Sequence, residues 1–151
     1  MEYFIYLVPI SAIIGLIVMA FKAKWVIKQD AGDKNMQELA SHIKEGALAF
    51  LSAEYRVLII FVVIAGALLA VISSFIESTS YFIVIAFVIG AFFSALAGNI
   101  GMRIATEANV RTTQAARTSL PDALKVSFTG GMVMGLGVAG LAVFGLSVIF
   151  I

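Results

Sequence analysis

The sequence predicts an all-α, polytopic transmembrane protein, and three observations carry that prediction. Hydrophobic residues make up 62% of the 151 positions and charged residues only 13%, whereas soluble domains are about a quarter charged. Four stretches carry no formal charge, residues 3–21, 57–76, 78–102 and 126–151, and each approaches or exceeds the roughly 20 residues needed to cross about 30 Å of hydrocarbon. These stretches are apolar on every side rather than alternating, so helices satisfy their backbone groups in lipid better than the strands of a β-barrel would.

The first span is expected over residues 3–23. A cleaved secretory signal fits poorly, because Glu2 stands where a basic residue belongs and no Ala-x-Ala site precedes Lys22. A turn over 24–35 follows, centred on Asp30, Ala31, Gly32 and Asp33, residue types that tolerate the backbone angles of a reversal. From Met36 the apolar residues Leu39, Ala40, Ile43, Ala47, Phe50 and Leu51 recur at three- and four-residue steps, with Glu38, Ser41, His42, Glu45 and Ser52 on the other face. That pattern predicts an amphipathic helix over 36–52 running into the second span at 53–76. The third span, 78–102, continues into a helical extension at 103–118, which holds several alanines and neither Gly nor Pro. Ser119, Pro121 and Asp122 then signal a new helix start, leading into the fourth span at 122–151.

All ten basic residues fall in two connections: Lys22, Lys24, Lys28, Lys34, Lys44 and Arg56 in the first, Arg103, Arg111, Arg117 and Lys125 in the third. Only Glu2 and Glu77 mark the other side. The positive-inside tendency therefore predicts cytoplasmic basic connections and both ends of the segment outside; in a prokaryotic cell the membrane would be the plasma (inner) membrane.

Several chemistries are excluded by composition. With no cysteine there is no disulfide, thiolate metal site or cysteine nucleophile, and the single histidine, His42, cannot build a multi-histidine site. A net charge of +1 argues against nucleic acid as a partner. His42 sits three or four residues from Glu38 and Glu45, but such a trio on an interfacial helix reads as a solvated face, not a metal site. Gly130 and Gly131 after Thr129 lack the lysine of a phosphate loop. Glu54, Arg56, Arg103 and Glu107 lie near helix entrances, where anchoring and interhelical pairing are the expected roles; Arg103, Glu107 and Arg111 permit an alternating pair chain. No catalytic, cofactor-binding or metal-ligating residue is assigned.

Small residues, by contrast, are spaced for close helix contact. The fourth span carries Gly131, Gly135 and Ala139 at four-residue steps, with Gly130, Gly137, Gly140 and Gly145 beside them, and the third carries Gly90, Ser94 and Gly98 with Ala97 and Gly101.

Three segments then carry a resemblance. They are Glu45-Gly-Ala-Leu-Ala-Phe-Leu-Ser-Ala-Glu-Tyr55, Gly101-Met-Arg-Ile-Ala-Thr-Glu-Ala-Asn-Val-Arg-Thr-Thr-Gln-Ala-Ala-Arg117 and Ala123-Leu-Lys-Val-Ser-Phe-Thr-Gly-Gly-Met-Val-Met-Gly135. In this order they resemble the N-terminal part of a membrane-bound, ion-translocating (H⁺ or Na⁺) inorganic pyrophosphatase; the stretch from Ala108 to Arg117 is the most specific, and Met132 replaces a more usual Ser. The resemblance implies a homodimer of many-helix subunits, typically of about sixteen spans, that hydrolyses cytoplasmic pyrophosphate, needs Mg²⁺ and in one subfamily K⁺, and pumps the ion out of the cytoplasm. It also implies that pyrophosphate and magnesium are bound by acidic motifs on later helices, which are missing here, so this segment alone is expected to be inactive. Its partners are then the lipid bilayer and the remaining helices of the parent protein. Within that frame the four spans serve as an outer ring, with Gly98, Gly101, Gly131 and Gly135 as helix-packing supports. The competing expectation is a complete, non-enzymatic four-span scaffold or channel subunit.

Overall fold

The computed structural model describes residues 5–76 and 81–150. Glu2, Tyr3, Glu77 and Ser78, on which the expected outer charges and two span starts fall, lie outside the described residues. Four helices follow one another: α1 (Leu7–Ile27), α2 (Lys34–Phe75), α3 (Phe82–Ala116) and α4 (Leu120–Phe150). Each is long and apolar enough to cross a membrane.

Helix α4 is the centre of the group, packing antiparallel on α1 and α3, while α2 packs antiparallel on α3 and α1 makes a smaller contact with α3. The first helix continues to Ile27, beyond residue 23, because Val26 is fully buried and holds the last turn against its neighbours. The remaining connection, residues 28–33, is shorter than the expected 24–35 turn. Helix α2 is a single element of 42 residues, about 63 Å long at 1.5 Å per residue. Its amphipathic and membrane-spanning parts are thus one rigid rod. Asp33 caps it, its Oδ1 accepting the Met36 N–H at 2.9 Å. At the start of α4 the Ser119 hydroxyl accepts the Asp122 N–H at 3.2 Å and donates to the Asp122 carboxylate at 2.5 Å, a reciprocal cap that also places a negative charge at the positive end of the helix dipole.

The core lies along α4. Its buried positions Ala123, Val126, Gly130, Val133, Gly137 and Gly140 alternate steps of three and four, the spacing that keeps one stripe facing a partner in near-antiparallel packing. Glycines set the closest approaches. A Cβ on Gly140 would lie 2.8 Å from Leu16 Cδ2 of α1, one on Gly130 2.8 Å from the Ala108 Cβ of α3, and one on Gly145 2.8 Å from the Phe93 ring. Phe93 in turn meets Phe144 edge-to-face at 6.1 Å between centroids. Among the four expected supports, Gly101 is buried, and a Cβ there would stand 3.0 Å from Met134 Cγ. At Gly98, Gly131 and Gly135 a Cβ would meet nothing within 4 Å. The physical reason is register. A strict four-residue step drifts around a 3.6-residue helix, whereas the alternating three–four step stays on one face, and it is the latter set that meets α1 and α3.

Candidate functional site: the charged end of the bundle

The C-terminal end of α1, the first half of α2, the last four turns of α3 and the start of α4 meet at one end of the group, where their polar groups form a continuous network. It begins with the turn. Gly32 adopts φ +82°, a left-handed conformation that suits glycine, and a Cβ there would lie 2.7 Å from Met36 Sδ. Asp30 Oδ1 accepts the Gly32 N–H at 2.9 Å, and Gln37 donates to the Gly32 carbonyl at 2.7 Å. The turn is thereby fixed from both sides.

Helix α3 and its C-cap present Arg111, Gln114 and Arg117, three residues apart, along the side of this turn. Each binds the residue 84 positions earlier: Arg111 to Ile27, Gln114 to Asp30, Arg117 to Asp33. Arg111 donates through Nη2 and Nε to the Ile27 carbonyl at 3.0 and 3.2 Å. That carbonyl is one of those left unpaired at the end of α1, so a cation here also complements the helix dipole. Gln114 Nε2 donates to Asp30 Oδ2 at 3.0 Å, and Arg117 Nη1 to Asp33 Oδ2 at 2.9 Å.

Glu107 is the centre of the network. Its Oε1 accepts Lys44 Nζ of α2 at 2.7 Å and its Oε2 accepts Arg111 Nη1 at 2.6 Å. One carboxylate thus joins α2 to α3 and, through Arg111, to α1. The Lys44 ammonium bonded to it, followed by the Arg111 guanidinium, holds the Glu107 carboxyl below its ordinary pKa against the opposing effect of partial burial. Asp33 is also held low, first by the Met36 N–H and then by Arg117. Helix α4 joins through Lys125, whose ammonium sits 5.5 Å from the centroid of the Trp25 ring of α1. Two open clefts flank Arg111: one of about 220 Å³ beside Lys44 and Glu107, one of about 240 Å³ beside Trp25, Asp30 and Lys125.

The expected alternating chain is corrected in one link. Glu107 pairs with Arg111, but Arg103 donates to Asn99 Oδ1 at 2.8 Å and Lys44 takes the second carboxylate oxygen. Glu54 and Arg56 are exposed and have no polar partner among the described residues. His42 approaches Glu45 only to 3.9 Å, on a solvent-facing surface. The roles of Lys44, Gln114 and Arg117 were not assigned from the sequence, and Asp30 and Asp33 were expected only as turn residues. A signal existed in the matched spacing of Arg111, Gln114 and Arg117 with Ile27, Asp30 and Asp33, but pairing two segments so far apart in the chain needs their relative register. Chemically the arrangement is a clamp: Lys44, Arg111 and Arg117 are paired with carboxylates or a carbonyl, and Lys125 lies over the Trp25 ring.

Comparison with known proteins decides the family. A family model described as inorganic H⁺ pyrophosphatase matches residues 13–151. This chain belongs to that family. It is 42% identical over its whole length to a K(+)-insensitive pyrophosphate-energized proton pump of Methanosarcina mazei, covering 22% of that protein. It is 41% identical over 95% of its length to a K(+)-insensitive pyrophosphate-energized proton pump of Moorella thermoacetica, and 37% identical over 97% to a K(+)-stimulated pyrophosphate-energized sodium pump of Thermotoga maritima. The chain spans about a fifth of the length of these relatives, 20% and 19% of the latter two. Among the described residues no group of three His, Asp or Glu side chains able to hold the magnesium that the pyrophosphatase resemblance implies occurs, and Glu107 is already bonded to two cations.

Proposed function

We propose that this chain is the N-terminal part of a pyrophosphate-energized ion pump, which couples hydrolysis of cytoplasmic pyrophosphate to export of H⁺ or Na⁺. The observation that carries the reading is the match over the whole chain, at 42% identity, to a pump of that kind. In this reading the four helices form a scaffold. Hydrolysis of a phosphoric anhydride needs magnesium and basic groups preorganised around an anion, and such groups must stand on rigid supports. The glycine-packed α1–α4–α3 layer and the ionic clamp at its charged end supply rigidity. Magnesium, pyrophosphate and the K⁺ of the stimulated subfamily bind on helices beyond these, and the parent is a homodimer. Gly98, Gly131 and Gly135, which have space above them here, are packing supports for those further helices. The charged end faces the cytoplasm, in keeping with the ten basic residues collected there.

The coding sequence beyond Ile151 gives the first test: further spans with paired acidic motifs support the pump, whereas a stop codon and a specific four-span oligomer favour the non-enzymatic scaffold. The parent protein in membranes should release phosphate from pyrophosphate with magnesium and drive ion transport, and these 151 residues alone should release none. For orientation, single cysteines at Asp33 and Gln114 should react with an impermeant thiol reagent only from the cytoplasmic side, and one at Ser78 only from the other. Reversed labelling would overturn the topology.

A further inference from the structure

Helix α2 turns one face towards α3 and leaves an apolar row open beside it. Lys44, Leu51 and Tyr55 face α3, with Leu51 buried and the Tyr55 hydroxyl donating to the Ala95 carbonyl at 2.7 Å. Beside this face runs a second row, Leu39, Ile43, Gly46, Phe50, Ala53 and Val57, at steps of four, three, four, three and four. Its large members are open: Leu39 is 63% exposed, Ile43 48%, Phe50 59% and Val57 67%. Alternating three- and four-residue steps are the seam of a helix that packs against another helix, with knobs from the partner seated between its side chains.

Lipid cannot cover the whole row. The uncharged part of α2 begins at Val57, and because α2 is one continuous helix, Ile43 and Leu39 stand about 21 and 27 Å further along its axis, beyond the hydrocarbon. Charged and polar neighbours, Glu38, His42 and Glu45, mark that part as aqueous. A run of large apolar side chains in water is covered by protein in a native fold. Two local features describe the partner. Gly46 and Ala53 leave low points in the row where a second backbone can approach. Between the row and α3, Leu39, Ile43 and Val110 also line an apolar cleft of about 130 Å³, room for one projecting side chain.

We propose that the Leu39–Val57 row of α2 is the docking seam for a further helix of the same polypeptide, one that also extends beyond the membrane, carries apolar residues in heptad spacing and seats a large apolar side chain in the cleft beside Leu39 and Ile43. This rests on the reading of the chain as part of a longer pump, and the occupant follows from length: relatives are about five times as long as this segment, so most of their helices lie outside it. The seam crosses from water into the membrane without a break, so one long helix covers it more simply than a loop.

The test uses the full-length parent in unsealed membranes, with single cysteines in an otherwise cysteine-free background and a water-soluble maleimide. Ile43→Cys and Phe50→Cys should label at least about tenfold more slowly than Glu38→Cys and Glu45→Cys, because a covered thiol is shielded from reagent. Equal rates would overturn the seam, and so would oxidative cross-linking of Ile43→Cys into dimers, which would make the occupant a second copy. Magnesium-dependent pyrophosphate hydrolysis in the same membranes separates the two readings. Active variants with fast labelling at Ile43 sink the seam alone, whereas a parent that hydrolyses no pyrophosphate sinks the pump reading. Gly46→Leu gives an independent check: it should restore labelling at Ile43→Cys by displacing the partner, and unchanged protection would count against the proposal.

Discussion

Helices α2 and α4 both carry a long uncharged span, with one glycine in residues 57–76 and six in residues 126–151, and they have opposite roles in the packing. Ten residues of α4 are buried, four of them glycines, whereas three of the longer α2 are. Helix α4 packs by backbone proximity: with no Cβ at Gly130, Gly140 and Gly145, side chains of α3 and α1 rest almost against its main chain. Helix α2 is tied instead by polar contacts, Lys44 to Glu107, Tyr55 to the Ala95 carbonyl and Asp33 to Arg117. In lipid, where apolar side chains gain little by leaving the solvent, close backbone packing holds α4, whereas the ion pairs of α2 lie at the charged end outside the hydrocarbon. The contrast teaches that hydropathy finds a span, while the placement of glycine and of a few polar groups decides what it touches.

The sharpest way to break the contrast is to fill a glycine. In the full-length parent, Gly140→Leu would drive its side chain into Leu16 and towards the Ala12 carbonyl, which a Cβ alone would approach to 3.5 Å. A loss of about 3 kcal/mol is expected, at the upper end of overpacking costs, read as collapse of folded yield and a lower Tm in detergent. Gly135→Leu has no such neighbour in these four helices. If Gly135 supports the remaining helices, as proposed, its substitution also lowers yield, and hydrolysis and pumping fall together. A Gly135→Leu parent with normal yield and hydrolysis but no pumping would instead place α4 on the ion pathway.

Gly135 also shows where sequence reasoning stops. The four spans, the rod-like continuation of the amphipathic stretch into the second span and the cap at Ser119 were legible because each rests on local pattern: charge gaps, periodicity and capping residues. The glycine face was not. Gly130, Gly137 and Gly140 stand beside Gly131 and Gly135 in a span so rich in glycine that two registers fit, and only the position of α1 and α3 selects the alternating one. At the charged end, Glu107 and Arg111 share a helix, so their pairing could be read from a four-residue step; Lys44, 63 positions away, could not.

The second prediction sharpens the polar side of the comparison. Glu107→Ala would leave Arg111, whose side chain is 11% exposed, and Lys44 beside it without a counter-charge. About 2 kcal/mol should be lost, less than for a fully buried pair because Glu107 keeps some contact with water. The effect is pH dependent with a definite sign. The Glu107 pKa is lowered in the folded state, so its contribution is complete above the ordinary value of 4.5 and disappears as pH falls through the depressed one. The Tm difference between wild type and Glu107→Gln should therefore be constant from neutral pH to about 5 and narrow below that. A difference that widened on acidification would mean that Glu107 is not held as a carboxylate by these cations.

The smallest effect is expected at Arg117, and its size tests whether the row of contacts along the turn acts as three equal ties. Arg117 and Asp33 are 2.9 Å apart, closely comparable to the Glu107 pairs, yet their side chains are 58% and 49% exposed. Water competes for both groups, salt screens them and two flexible side chains are ordered to make the contact, so such a pair contributes about 0.5 kcal/mol. Asp33 also keeps its bond to the Met36 N–H when Arg117 is removed, so the cap on α2 survives. Arg117→Ala should then shift the Tm of the parent by no more than about 1–2 °C, and raising the salt concentration should erase even that. Arg111, six residues away on the same face, binds the Ile27 carbonyl and Glu107 from a nearly buried position, and its replacement should cost several times more. Equal losses at the two arginines would show that exposure does not grade these contacts, and that the turn, not Glu107, is the point on which α1, α2 and α3 are joined.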